Sequence, residues 1–136
     1  MSIRLLFSLL LAAFLAGACS SAPIRDIGLD KFAPRKAEQE LSAGLKEYEN
    51  GHYQTAAKSL QNALNDELAF KKDRVTAHKY LAFIYCVSDK KKQCREQFKE
   101  AMEIDSDFEL SPSEAGHPIW GPVFREVQAE QRRHKR

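Results

Sequence analysis

Between Ala37 and Phe108 the chain contains no proline and only two glycines, Gly44 and Gly51. Proline removes a backbone donor and clashes with the preceding turn, so a stretch this long without it is free to be helical. Apolar residues within it recur at three- and four-residue spacing, the period of a helix with one buried face. Leu41, Leu45 and Tyr48 share one side of a helix over 37–49. Asn50-Gly51 is a stop and turn. A second helix over 53–65 carries Ala56, Leu60, Ala63 and Leu64. A third, over 72–87, holds the uninterrupted apolar run from Tyr80 to Val87. A helix apolar on most sides is buried on most sides. Ser88-Asp89 turns the chain into a fourth helix over 91–104, with Cys94, Phe98, Ala101 and Met102. The expected fold class is all-α.

The two halves match each other at a constant offset. Gly44, Gly51, Tyr53, Ala56, Leu60 and Ala63 answer to Ala82, Asp89, Lys91, Cys94, Phe98 and Ala101, each 38 positions later. This pattern resembles the tetratricopeptide repeat, whose period is about 34 residues. The first copy has the family's small Gly44, then Tyr48, Gly51-x-Tyr53-x-x-Ala56, Leu60 and Ala63-Leu64. The second has Lys91 where an aromatic is usual and Cys94 where alanine is usual. Leu68 and Ser106 replace the closing proline. The four surplus residues are assigned to Lys71-Lys72-Asp73-Arg74, as an extension between two helical hairpins. Small residues at Gly44 and Ala56, and at Ala82 and Cys94, let paired helices approach closely.

Two such repeats leave the last hairpin uncovered, and residues 111–136 are the expected cap. Ser111, Pro112 and Glu114 form a capped first turn, with proline at the first helical position. His117-Pro118 and Gly121-Pro122 are read as breaks, and a closing helix runs from Val123 to about Arg132. Trp120, the only tryptophan, either packs as part of this cap or stands exposed as an anchor for a partner.

The start of the chain has a different character. Arg4 precedes an uncharged stretch from Leu5 to Ala18. The apolar core Leu5–Leu15 spans about 16 Å as a helix, too short for a hydrocarbon layer of roughly 30 Å. Small residues follow, as in a cleaved signal peptide. Leu15-Ala16-Gly17-Ala18-Cys19 resembles a bacterial lipobox. That resemblance implies residues 1–18 as signal peptide and cleavage before Cys19. The Cys19 thiol would carry a diacylglyceryl group and its amine a fatty acyl chain, and no other cofactor is expected. Ser20 rather than aspartate implies the periplasmic face of the outer membrane. Residues 19–36, with two prolines and a glycine, read as lipidated cysteine and tether. The hairpins then occupy 37–110.

With Cys19 modified, Cys86 and Cys94 remain. An exported compartment is oxidising, which favours a disulfide. Cys86 lies one helical turn beyond Ala82 on the face toward Cys94, so a bridge across the hairpin is expected. Two free buried thiols are the alternative. His52, His78, His117 and His134 show no metal spacing, and no catalytic constellation or phosphate loop is present in the sequence, so an enzyme is not expected. Lys plus Arg is 21 and Asp plus Glu is 19, a formal charge of +2 that does not mark a nucleic-acid binder. The basic ending Gln131-Arg132-Arg133-His134-Lys135-Arg136 is either a solubilising end or a contact for anionic lipid headgroups or an acidic partner.

In tetratricopeptide proteins the first helix of each pair lines a peptide-binding groove. Carried over, that role falls to Leu41, Leu45, Tyr48 and Glu49 in the first hairpin and to Thr76, Lys79 and Phe83 in the second. The chain's own termini are the alternative occupants. The whole pattern, through HKYLAFIYC, CREQFKEAMEID and FELSPSEAGHPIWGPVFR, looks like the TssQ-type lipoproteins associated with type VI secretion. The expected function is an outer-membrane adaptor that docks a protein partner of the envelope. A scaffold of another envelope machine, or a periplasmic thiol protein, are the alternatives.

Overall fold

A computed structural model describes residues 35–134. Cys19, the expected signal peptide and most of the expected tether lie outside the described residues. Six helices follow in order: α1 (Lys36–Glu49), α2 (Tyr53–Asn65), α3 (Lys71–Val87), α4 (Lys91–Ile104), the single turn α5 (Pro112–Ala115) and α6 (Trp120–His134). Helices α1 and α2 form one hairpin, α3 and α4 a second, and α6 packs on α4 and α3.

The turns inside the two hairpins are built alike. Gly51 N–H donates to Tyr48 O and His52 N–H to Glu47 O; 38 residues later Asp89 N–H donates to Cys86 O and Lys90 N–H to Tyr85 O. Each is a helix ending on one left-handed residue. Gly51 has φ of 77° and Asp89 has φ of 58°. The second copy holds with a strained side chain the conformation that glycine adopts freely.

Close approach needs the small residues. A β-carbon built at Gly44 would sit 2.7 Å from Leu60 Cγ, and Leu60 is wholly buried. In the second hairpin Ala82 and Cys94 are wholly buried. There Cys86 and Cys94 are joined in a disulfide, with Cα atoms 5.1 Å apart. The counterparts of this pair in the first hairpin are Tyr48 and Ala56.

Helix α3 is the centre of the domain. Ala77, Leu81 and Ile84 face the first hairpin, among Ala37, Leu41, Ala56, Leu60, Ala63 and Leu68. Ala82, Phe83 and Cys86 face a second cluster with Phe98, Met102, Leu110, Trp120, Val123, Phe124 and Val127. This is why its run from Tyr80 to Val87 is apolar nearly all round. Every buried side chain among the described residues is apolar.

Two expectations change. Lys71–Arg74 are not a connector: they form the first turn of α3, and Asp66–Phe70 join the hairpins. Gly121-Pro122 do not break the chain: α6 starts at Trp120 and includes them. Pro122 is the third residue of the helix, where its missing N–H would have no intrahelical partner anyway.

The bridge closes a short loop, so its removal acts mainly by freeing the unfolded chain. Replacing Cys86 and Cys94 together by alanine should lower unfolding free energy by about 2–3 kcal/mol. Urea denaturation followed by circular dichroism, with and without reductant, measures this.

Candidate functional site

The groove expected along α1 and α3 is divided in two by the chain itself. Over α3, the 111–120 segment folds back. Ser111 and Glu114 make a reciprocal capping box around α5: Glu114 N–H donates to Ser111 Oγ at 3.4 Å and Ser111 N–H to Glu114 Oε2 at 3.0 Å. The other carboxylate oxygen, Oε1, accepts from Lys79 Nζ at 2.6 Å. One side chain thus caps α5 and pins it to α3. Lys79 also lies over the rings of Tyr80 and Phe83, at 4.9 and 5.7 Å from their centroids.

Trp120 completes the closure. Its indole stacks on Phe83 at 4.3 Å between centroids and on His117 at 3.3 Å. Its Nε1–H donates to Glu114 O at 2.9 Å. Trp120 is 9% exposed and Phe83 is 2% exposed. Trp120 is therefore an internal packing residue, not an exposed anchor, and Phe83 is core rather than groove. The reason is positional: α6 starts against the face of α3 that an open groove would need.

Tyr48 is the hinge between the two halves of the groove. It is partly buried and its ring meets Tyr53, Tyr80 and Phe83 at 5.6, 4.8 and 6.5 Å. Burial, with smaller effects from Tyr53, Tyr80 and the Glu114 charge, pushes its phenol up to about 12. It stays neutral at any physiological pH.

Two open clefts flank this closure, each of about 610 Å³. The first lies along α1: Leu41 and Leu45 meet Glu38, Ser42, Lys46 and Glu49, with Asp73 entering from α3. With Glu38 paired to the Arg35 guanidinium, Glu49 and Asp73 against the Lys46 ammonium leave the rim mildly acidic. Glu38 is held by Arg35, whose guanidinium keeps the carboxyl below its ordinary range. Glu49 is exposed and Leu45 half-buried. The second cleft holds Thr76 and Lys79 with Lys71, Lys72, Val75, Phe108 and three acids of the 105–109 segment. Lys71 and Asp105 pair across it at 3.0 Å. So Leu41, Leu45 and Glu49 come together, and Thr76 with Lys79, but as two surfaces.

The bridged sulfurs sit in the core. Cys94 is wholly buried and Cys86 is 8% exposed, which denies an attacking thiolate the access that exchange needs. The cysteines act as a staple. Among the described residues no group of His, Cys, Asp or Glu is arranged to hold a metal ion. No helix among them is long and apolar enough to cross a membrane.

Comparison with family models, with curated proteins and with solved structures finds no match for this chain. The geometry itself is that of an all-helical, disulfide-containing domain whose paired helices pack extensively, a form suited to protein–protein contact.

The closure has an acid-sensitive clasp. Partial burial raises the Glu114 carboxyl, but the Lys79 ammonium and the Ser111 donors outweigh it, and the net effect is a lowered pKa. A carboxylate lowered in the folded state stabilises fully above its unfolded pKa, and that contribution fades as pH falls through the folded value. Glu114→Gln should remove this part of the acid dependence and shift Trp120 emission to the red at neutral pH. Intrinsic fluorescence and urea midpoints measured between pH 7 and pH 3 check both.

Proposed function

We propose that this chain is a lipid-anchored adaptor of the bacterial outer membrane, holding a tetratricopeptide-like pair of hairpins on the periplasmic face. Within that reading it serves as an accessory of type VI secretion, and its work is docking rather than turnover. Three features support this. Arg4, the short apolar stretch and Cys19 fall in the order of a lipoprotein signal. The hairpin turns repeat bond for bond at the 38-residue offset. The cleft along α1 stays open, while the chain covers the Phe83 part of the corresponding face of the second hairpin and leaves the cleft at Thr76 and Lys79 beside it.

The open cleft carries the reading. An apolar floor of Leu41 and Leu45 with an acidic rim of Glu49 and Asp73 fits an amphipathic partner segment. Such a segment presents apolar anchors to the floor and basic residues to the rim. The partner is thus an envelope protein with an exposed basic amphipathic stretch.

Leu45→Arg together with Glu49→Lys should weaken partner binding at least about 10-fold, since a central anchor and its rim charge are both reversed. Crosslinking in cells followed by affinity capture reads the loss. An unchanged thermal midpoint shows that the domain remains folded. Retained capture in a folded variant removes the cleft from the interface.

The anchor is tested separately. Cys19→Ala should abolish labelling by a fatty-acid analogue and move the protein out of the outer-membrane fraction. A variant that still fractionates with that membrane as a processed chain rules the lipid out.

A further inference from the structure

The charges of α6 are sorted by side. Its two acids, Glu126 and Glu130, turn toward α4, where Arg95 takes both, at 2.8 and 2.6 Å. Val123, Phe124 and Val127 are buried. Arg125, Ala129, Arg132 and Arg133 are all exposed, and Arg125 and Arg132, seven apart, lie on one line of the helix. These residues and Gln128 line a shallow cleft of about 440 Å³. Lys135 and Arg136 follow in the sequence.

Two of the three guanidinium groups are steadied without being neutralised. Arg125 donates to Ala115 O at 3.1 Å and Arg133 to Ala129 O at 3.3 Å. Both acceptors are uncharged carbonyls, which orient the donors and leave the positive charge intact. Arg132 pairs with Glu109 at 3.8 Å, both side chains being mostly exposed, and Gln128 Nε2–H donates to the same carboxylate at 2.7 Å, so one acid borders this face. With the helix's own acids taken by Arg95, three guanidinium groups stand against the single Glu109 carboxylate, so the face stays net positive and is built from arginine, the side chain whose planar fork matches phosphate oxygens.

We propose that the Arg125, Arg132 and Arg133 face of α6 docks on the phosphates of an anionic lipid surface. Charge complementarity names the occupant, and the membrane is chosen over a soluble anion on the reading that Cys19 holds the chain beside a bilayer. A bound lipid tail keeps the local headgroup concentration high, so a surface too weak to bind alone still engages. The contact would set which side of the domain faces the membrane and direct the α1 cleft.

The test uses the whole chain carrying Cys19→Ala, so that it does not depend on lipidation. It is mixed with vesicles of phosphatidylcholine alone or containing phosphatidylglycerol. The apolar leader brings protein to both kinds; the readout is the rate at which phenylglyoxal modifies each arginine, followed by peptide mass spectrometry. Arg125, Arg132 and Arg133 should be protected on the anionic vesicles only, with protection lost in high salt. Arg132→Gln with Arg133→Gln, which leaves the Arg125–Ala115 bond in place, should cut the preference for anionic over neutral vesicles by about 10- to 30-fold. Circular dichroism verifies the fold. Equal protection on neutral vesicles, no protection, an unchanged preference in the folded double variant, or equal protection by millimolar inorganic phosphate overturns the proposal. A chain that passes here but is never lipidated in cells separates failure of the anchor from failure of this face.

Discussion

The stack of Trp120 on Phe83 is the contact around which the domain is organised. A hairpin of two helices buries one face and leaves the next exposed to water, so a short repeat array needs something at its end. Here the end is closed by α6, which begins at Trp120 and lays Val123, Phe124 and Val127 against α3 and α4. Aromatic contacts continue inward from Phe83 to Phe98 and from Phe124 to Phe98 and Phe108. Without this layer the second hairpin would expose a face of Phe83, Phe98 and Met102, an apolar surface of the kind that drives association.

The two hairpins solve the same packing problem with different chemistry. The first relies on Gly44, whose missing side chain makes room for Leu60. The second has Ala82 at that place and a covalent bond between Cys86 and Cys94. Its turn holds Asp89 where the first has Gly51, so it accepts local backbone strain. The staple and the Trp120 layer both fall on the hairpin with the less favourable turn. They cover the Phe83 face of α3 and leave two clefts, one on α1 and one at Thr76 and Lys79, on either side of it.

Electrostatics follow from this closure. Glu114 serves the α5 cap with one oxygen and Lys79 with the other, so a local sequence motif becomes a tertiary clasp. Arg95 collects Glu126 and Glu130 and leaves α6 basic outside. The result is a domain with an acidic-rimmed cleft on α1 and an arginine face on α6. Two distinct surfaces of unlike charge are what the proposed adaptor role would use.

Helix positions were legible in the sequence because they depend on local rules. Proline is absent from the four helices of the two hairpins, apolar residues recur there at helical spacing, and Asn50-Gly51 and Ser88-Asp89 stop them. The 38-residue offset was legible for the same reason, since each hairpin repeats the same short-range pattern. The Ser111–Glu114 box was readable as well. Pro122 misled because the letter alone does not say whether it stands in a helix interior or in a first turn, where its lost N–H costs nothing. The fate of the groove was not legible. Leu41, Leu45, Tyr48, Glu49, Thr76, Lys79, Phe83 and Trp120 share a helical face or a neighbouring segment, and sequence spacing gives a face but not its neighbour. Only the fold back of residues 111–120 onto α3 decided that Phe83 and Trp120 are core and that the α1 side stays open. That outcome depends on contacts between residues more than thirty positions apart, which no local pattern encodes.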